Sequence, residues 1–362
     1  MLFKSLLTFA SLCSVAVSTV TPSHLVKRAA LVPHVNAAAI NLNPAGGGTY
    51  PRLTTLSDGS ILAVFTYFQG DTHILTVTKS TNGGSSFVAW GTIASQTNDL
   101  DNPHLVQLRD GSILATFRNN DKVNGAYSYY RITACRSTDG GKTWSFVSHV
   151  AERAASGVNG LWEPFGRVAN DGSIQVYYAS ENNANDQDIL VKTSTNGGSS
   201  WSGPVTVAGG STTGRDGMPG VAKFNDGAEK LMCVFETTEG TGTFTIKSVV
   251  SADDGKTWGV RSQVYRPTGT NNNTGAPQII QKPDNSLVVS FMTDEDTSLH
   301  NWVQGANMKI VTGGPVATGA WGNKVTVSGV QSSWPGLLAK SDGTVLGCAD
   351  NGGAKCHSIT FS

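Results

Sequence analysis

One phrase recurs six times along the chain: a proline, a short apolar run, a turn built on aspartate, and a second apolar run. The prolines are Pro51, Pro103, Pro164, Pro219, Pro277 and Pro335, and an aspartate follows each by seven residues, at Asp58, Asp110, Asp171, Asp226, Asp284 and Asp342. A second motif, Ser-x-Asp/Asn-x-Gly-x-Ser/Thr-Trp/Phe, begins at Ser80, Ser137, Ser194 and Ser251, in three successive steps of 57 residues. Self-similarity at such a period marks a repeat architecture, in which no single unit can bury its own apolar face. Units of 52 to 61 residues hold four short strands each, which is the size of one propeller blade. The expected fold is therefore all-β, a six-bladed β-propeller. The segment 36–45 precedes the first copy and the last copy ends soon after Phe361, so an N-terminal strand should complete the sixth blade and close the ring.

In the second motif Asp or Asn bonds its own backbone and Gly takes a positive φ, while Phe87, Trp144, Trp201 and Trp258 pack on an adjacent sheet. These repeats resemble the Asp-boxes (BNR repeats) of sialidase-like propellers, and their expected role is structural. Trp321 reads as a remnant of the fifth copy.

The sequence of 362 residues balances 26 Lys plus Arg against 26 Asp plus Glu, so no global field exists to hold nucleic acid or an acidic membrane. Met1 to Ser18 reads as a secretory signal peptide, with Lys4 ahead of a short apolar run and Ala16-Val17-Ser18 after it. Residues 19–30 read as an arm or propeptide ending near the dibasic pair Lys27-Arg28, and residues 31–362 as a single six-bladed propeller domain. The expected product is a secreted, extracellular monomer. Cys348 and Cys356 flank a turn-rich stretch and suit a hairpin disulfide, whereas Cys135 and Cys233 lie in apolar runs as buried thiols. No Cys/His spacing suggests zinc, and no metal or cofactor is expected. Asn272-Asn273-Thr274 is a glycosylation acceptor sequence.

In a propeller the first strand of each blade lines the channel, so the proline ends of the first strands share one mouth with the ends of the second strands. The residues just before the prolines are Tyr50, Asn102, Glu163, Met218, Ala276 and Trp334. Those just past the second apolar runs are Thr66, Arg118, Ala179, Glu236, Met292 and Asp350. Glu163 and Glu236 stand out as carboxylates in apolar phrases on neighbouring blades. A retaining glycosidase needs two carboxylates about 5 to 5.5 Å apart, one as nucleophile and one as acid/base. Around them Tyr50, Trp162, Phe165 and Trp334 offer flat faces for a sugar, and Asn102, His104, Gln278 and Asn351 offer neutral hydrogen-bonding partners. Arg52 and Arg118 suit either an acidic substrate or the support of the glutamates.

The Asp-box motifs, the blade count and the phrases Trp162-Glu163-Pro164 and Phe235-Glu236-Thr237 together resemble the fungal exo-α-1,5-L-arabinanases of glycoside hydrolase family 93. The resemblance covers about residues 31 to 362. It implies a retaining mechanism, release of arabinobiose from the non-reducing end of linear α-1,5-L-arabinan, and catalysis by Glu163 and Glu236. Which of the two is the nucleophile stays open at this level. A sialidase shares the fold but clamps its substrate carboxylate with three arginines; Arg52 occupies the place of the first, while Arg215, Arg261 and Arg266 fall outside the expected channel positions. A non-catalytic carbohydrate-binding propeller is the remaining alternative.

Overall fold

A computed structural model of the chain describes residues 32–240, 242–314 and 320–362. The signal sequence, the arm and the dibasic pair lie outside the described residues. Six four-stranded antiparallel sheets make up the fold, and in five of them the strands follow chain order from first to last. The sixth sheet takes its first three strands from the end of the chain and its fourth from Pro33–Asn41, which pairs with Ala354–Phe361. The expected ring closure is thus present, with the closing strand starting three residues earlier than the sequence suggested. It is a six-bladed β-propeller.

The first strands of the blades are Thr49–Thr55, Asp99–Gln107, Leu161–Val168, Gly217–Asn225, Thr274–Gln281 and Ser333–Ala339. Each contains a β-bulge at its proline, and the residue before the proline has a positive φ in all six: Tyr50, Asn102, Glu163, Met218, Ala276 and Trp334, between 44 and 59°. None of these is glycine, so each conformation costs about 1 kcal/mol or more. A bulge interrupts the ladder and re-aims the side chain beside it, and a bulged edge strand is where a proline without an N–H is tolerated.

Register confirms the phase of the repeat. Thr49 pairs with Thr66, Asp101 with Arg118, Trp162 with Ala179, Gly217 with Glu236, Gly275 with Met292 and Ser333 with Asp350. In every blade the residue just past the second apolar run sits opposite the residue just before the bulge. Two rings of side chains therefore meet at one mouth.

At the opposite mouth the turn aspartates cap their own turns, as where Asp58 Oδ1 accepts the Ser60 N–H and Asp110 Oδ1 the Ser112 N–H. The four Ser-x-Asp/Asn-x-Gly motifs fold alike: Ser137 Oγ accepts the Gly141 N–H at 2.8 Å while Asp139 Oδ1 accepts the Thr143 N–H at 3.0 Å. Ser80, Ser194 and Ser251 repeat the first of these bonds. The closing aromatics reach the seams between blades: Trp144 packs on the cluster of Leu62, Leu105 and Phe117, and Trp258 meets Tyr177 edge-on at 5.9 Å. Trp321 opens the outer strand of the fifth blade and packs into its core.

Cys348 and Cys356 form a disulfide between paired strands, and Cys135 and Cys233 are buried free thiols. The glycosylation expectation at Asn272 meets an obstacle. Its amide nitrogen, which would carry the glycan, is buried and donates to both the main chain and the carboxylate of Asp294. As folded, that nitrogen is engaged in these hydrogen bonds.

Candidate active site

Glu163 stands at the bulge of the third blade and Glu236 at the end of the second strand of the fourth. Both are half-buried. Between them runs the start of the fourth blade's first strand. Glu163 Oε2 accepts the Met218 N–H at 3.4 Å, and Glu236 faces Gly217 across the ladder. Glu236 Oε2 also accepts the Ala276 N–H of the fifth blade at 2.6 Å. The two glutamates predicted from the repeat phase are therefore neighbours, 73 residues apart in sequence.

Burial pushes the Glu163 carboxyl up to about 7, opposed by the charges of Arg118 and Arg215 and by the Met218 N–H. Burial, and then the charge of Glu163 itself, push Glu236 up to about 8. Two carboxylates that disfavour each other's ionisation share one proton over a range of pH. The pair can thus supply a carboxylate and a carboxylic acid together near neutrality.

Around the pair the predicted residues divide into two groups. Trp162 is half-buried in an aromatic group with Tyr127 and Tyr130, and the Arg118 guanidinium lies 5.2 Å from its ring centre. Arg118 in turn pairs with Asp99 at 2.9 Å and Asp101 at 3.3 Å, so its charge is already met. Asn102 is buried at its bulge, and Trp334 stands half-buried 6.0 Å from Tyr50. Tyr50 itself is only 5% exposed and its hydroxyl contacts Met218 Sδ, which makes it a floor for the mouth rather than a free stacking face. Asn351 donates to the carbonyls of Val330 and Gln331 in the sixth blade.

Arg52, His104, Phe165 and Gln278 lie past the bulge and line a cavity of about 270 Å³ on the propeller axis, to which all six blades contribute. Two of them satisfy edge backbone that no strand pairs. Arg52 donates to the carbonyls of Pro51, Trp334 and Pro335, and burial lowers its pKa. His104 Nδ1 accepts the Gly166 N–H at 3.2 Å, and burial pushes its pKa down to about 3, so it is a neutral acceptor. These four residues belong to the channel below the mouth.

Three residues near the pair escaped sequence reasoning. Asp101 buttresses Arg118 and accepts from the Thr66 hydroxyl at 2.5 Å. Arg215, though off the repeat's channel positions, lies close enough for its charge to lower both glutamate pKa values, and it pairs with Glu181 at 2.6 Å. Trp302, on the long loop between the second and third strands of the fifth blade, flanks Glu236: a side chain at Gly275 would overlap both its ring and Glu236 Oε2. Asp101 could have been found from its place two residues before Pro103. Arg215 and Trp302 lie on connections whose lengths differ between blades and so carry no repeat phase.

Fold and site together define a class, the six-bladed propeller with a coupled carboxylate pair at one mouth of its channel. Among solved structures the fold is shared with an α-L-arabinanase of Penicillium chrysogenum complexed with arabinobiose, at 20% identity and a TM-score of 0.69 over 91% of this chain and 98% of that one. A glycoside hydrolase family 93 α-L-arabinofuranosidase of Fusarium graminearum, also with arabinobiose, matches at 21% identity and a TM-score of 0.70 over the same shares. A sialidase of Streptococcus pneumoniae matches at 11% identity and 0.57, over 87% of this chain and 68% of that one. At such identities the likeness is one of fold. No protein-family model and no curated protein matches the chain.

Proposed function

We propose that the chain is a secreted retaining exo-α-1,5-L-arabinanase that releases arabinobiose from linear arabinan. The observation that carries this reading is the coupled pair Glu163 and Glu236, both raised toward neutrality and held either side of Gly217-Met218. In this reading Glu236 is the acid and gives its proton to the departing glycosidic oxygen as the Glu163 carboxylate attacks the anomeric carbon. The C–O bond breaks and a glycosyl ester forms on Glu163. Glu236, now ionised, takes a proton from water, whose oxygen displaces Glu163 and frees the disaccharide.

A neutral sugar fits the charges at the mouth. Arg118 is met by Asp99 and Asp101, Arg215 by Glu181, and Arg52 by three carbonyls, so these three guanidiniums are already engaged and do not form a free clamp for a substrate carboxylate. The named partners of the two fungal structures, both solved with arabinobiose, support the same substrate class. Export through residues 1–18 would place the enzyme where plant polysaccharide lies.

Product analysis on linear arabinan beside a sialoside tests the reading. Arabinobiose as the first product, and loss of hydrolysis by at least ~100-fold in Glu163→Gln and Glu236→Gln, is the expected result. Cleavage of the sialoside alone would overturn it, and sugar binding without turnover in the unmodified protein would make the chain a lectin. Azide supplied to Glu163→Ala should give the inverted glycosyl azide and to Glu236→Ala the retained one. The reverse pattern exchanges their roles.

A further inference from the structure

Arg261 precedes the outer strand Ser262–Tyr265 of the fourth blade, yet its side chain runs inward to the start of the first strand. Its guanidinium donates to both oxygens of Asp216, at 2.5 and 2.9 Å, and to Glu239 Oε2 at 2.8 Å. Asp216 is wholly buried. Its N–H donates to the Gln187 carbonyl at 2.9 Å and its carbonyl accepts from Gln187 Nε2 at 2.8 Å. One residue is thus held at its N–H, its C=O and both carboxylate oxygens. Immediately after it come Gly217, opposite Glu236, and Met218, whose N–H meets Glu163. Immediately before it comes Arg215, bonded to Glu181 and to Gln187 Oε1.

A buried ion pair returns little net stability, because desolvation of both charges offsets their attraction, and its best-attested use is to fix register. Here the register in question belongs to the segment that touches both glutamates. We propose that the ion pair between the buried Asp216 and the half-buried Arg261 is a positioning clamp, which fixes residues 215–218 so that the Met218 N–H and the Arg215 guanidinium bear on Glu163 and Glu236. The inference rests on the glycosidase reading of that pair. Other charged groups facing the glutamates are Arg118 and Asp101 of the second blade, Arg52 with Tyr50 of the first, and Glu181 of the third. Glu239, its partner Lys247, and Asp188 face the clamp itself. None of the former bonds Asp216 or Arg261, so loosening the clamp withdraws chiefly Met218 and Arg215. Both of these lower the Glu163 pKa, and Arg215 lowers that of Glu236.

The test uses the mature protein carrying Arg261→Met, Arg261→Lys or Asp216→Asn, with carboxyl-carbon NMR titration of the glutamates, arabinan kinetics and thermal melting. Both glutamate titrations, and with them the acid limb of kcat/KM, should move up by about one pH unit. The kcat should fall at least ~10-fold with KM within about twofold, and Arg261→Lys should lie between Arg261→Met and the parent. Lower melting temperatures with unmoved titrations and an unmoved acid limb would overturn the clamp. Arg261→Lys and Asp216→Asn carry the test if Arg261→Met does not fold. The titration needs no substrate, so an unmodified protein inactive on arabinan would refute the function while still judging the clamp.

Discussion

Gly275 and Gly217 show how closely the site is filled. At Gly275 a Cβ would overlap the Trp302 ring and Glu236 Oε2, and at Gly217 it would stand 2.9 Å from Gln187 Nε2 and 3.1 Å from Glu236 Oε1. Gly275→Ala must therefore displace either the carboxylate or the indole. A displacement near 1 Å at a reacting group costs about 100-fold, so kcat/KM on arabinan should fall by that order. Activity within twofold of the parent would mean that turnover does not need both Glu236 and Trp302 in their present places. The glutamates also tie stability to pH. Their folded pKa values, about 7 and about 8, exceed the ordinary glutamate value near ~4.3. Stability from this source is complete below about pH 4 and is lost as pH rises through about 8. Glu236→Gln removes one of the two titrating carboxyls and the repulsion between them. It should melt with the parent at about pH 4 and at least ~2 °C above it at about pH 8.5, read by calorimetry. A constant difference across that range would show that Glu236 titrates normally. Both glutamates were legible in the sequence because each sits at a repeated phase. Arg215 and Trp302 were not, because no second copy of their loops exists against which to read them.

At the scale of the element, the six bulges and the four serine-centred turns are opposite uses of one repeat. The bulges at the proline mouth keep a non-glycine residue at positive φ in every blade, a cost that re-aims six side chains toward the axis. Proline phase revealed the position of this ring but not its handedness, since the residue before a proline is ordinarily extended. The serine-centred turns lie at the other mouth and hold the third strand to the fourth. Ser137 is 1% exposed and its hydroxyl accepts the buried Gly141 N–H. Ser137→Ala leaves that N–H unpaired and should cost about 1–2 kcal/mol in denaturant unfolding, with kcat and KM for arabinan unchanged. A matching loss of activity would tie these turns to the reaction. That separation explains why the more conspicuous motif in the sequence is the less informative about chemistry.

At the scale of the whole molecule, stability depends on closure of the ring. Five blades are built from consecutive strands, and the sixth is complete only when Pro33–Asn41 pairs with Ala354–Phe361. Leu42, fully buried, continues that strand into the seam between the sixth and first blades, where Phe65 and Leu346 pack. The same blade carries the Cys348–Cys356 disulfide, and the Arg52 bonds to Trp334 and Pro335 join its inner strand to the first blade. Closure could be read from the chain because the count of strands was one short at the end and one over at the start. Its energetic weight could not, since that depends on which contacts cross the seam. Removing residues 33–42 leaves the edge of Ala354–Phe361 unpaired and opens the seam, whereas Cys348→Ser with Cys356→Ser breaks only a short covalent loop, worth about 2 kcal/mol. The truncated chain should therefore melt well below the disulfide-free one and associate through its bare edge in light scattering, and it should lose the alignment of Trp334 and Tyr50 at the mouth. A truncated protein that stays monomeric and melts no lower than the disulfide-free variant would show that the ring is held by blade packing without its closing strand.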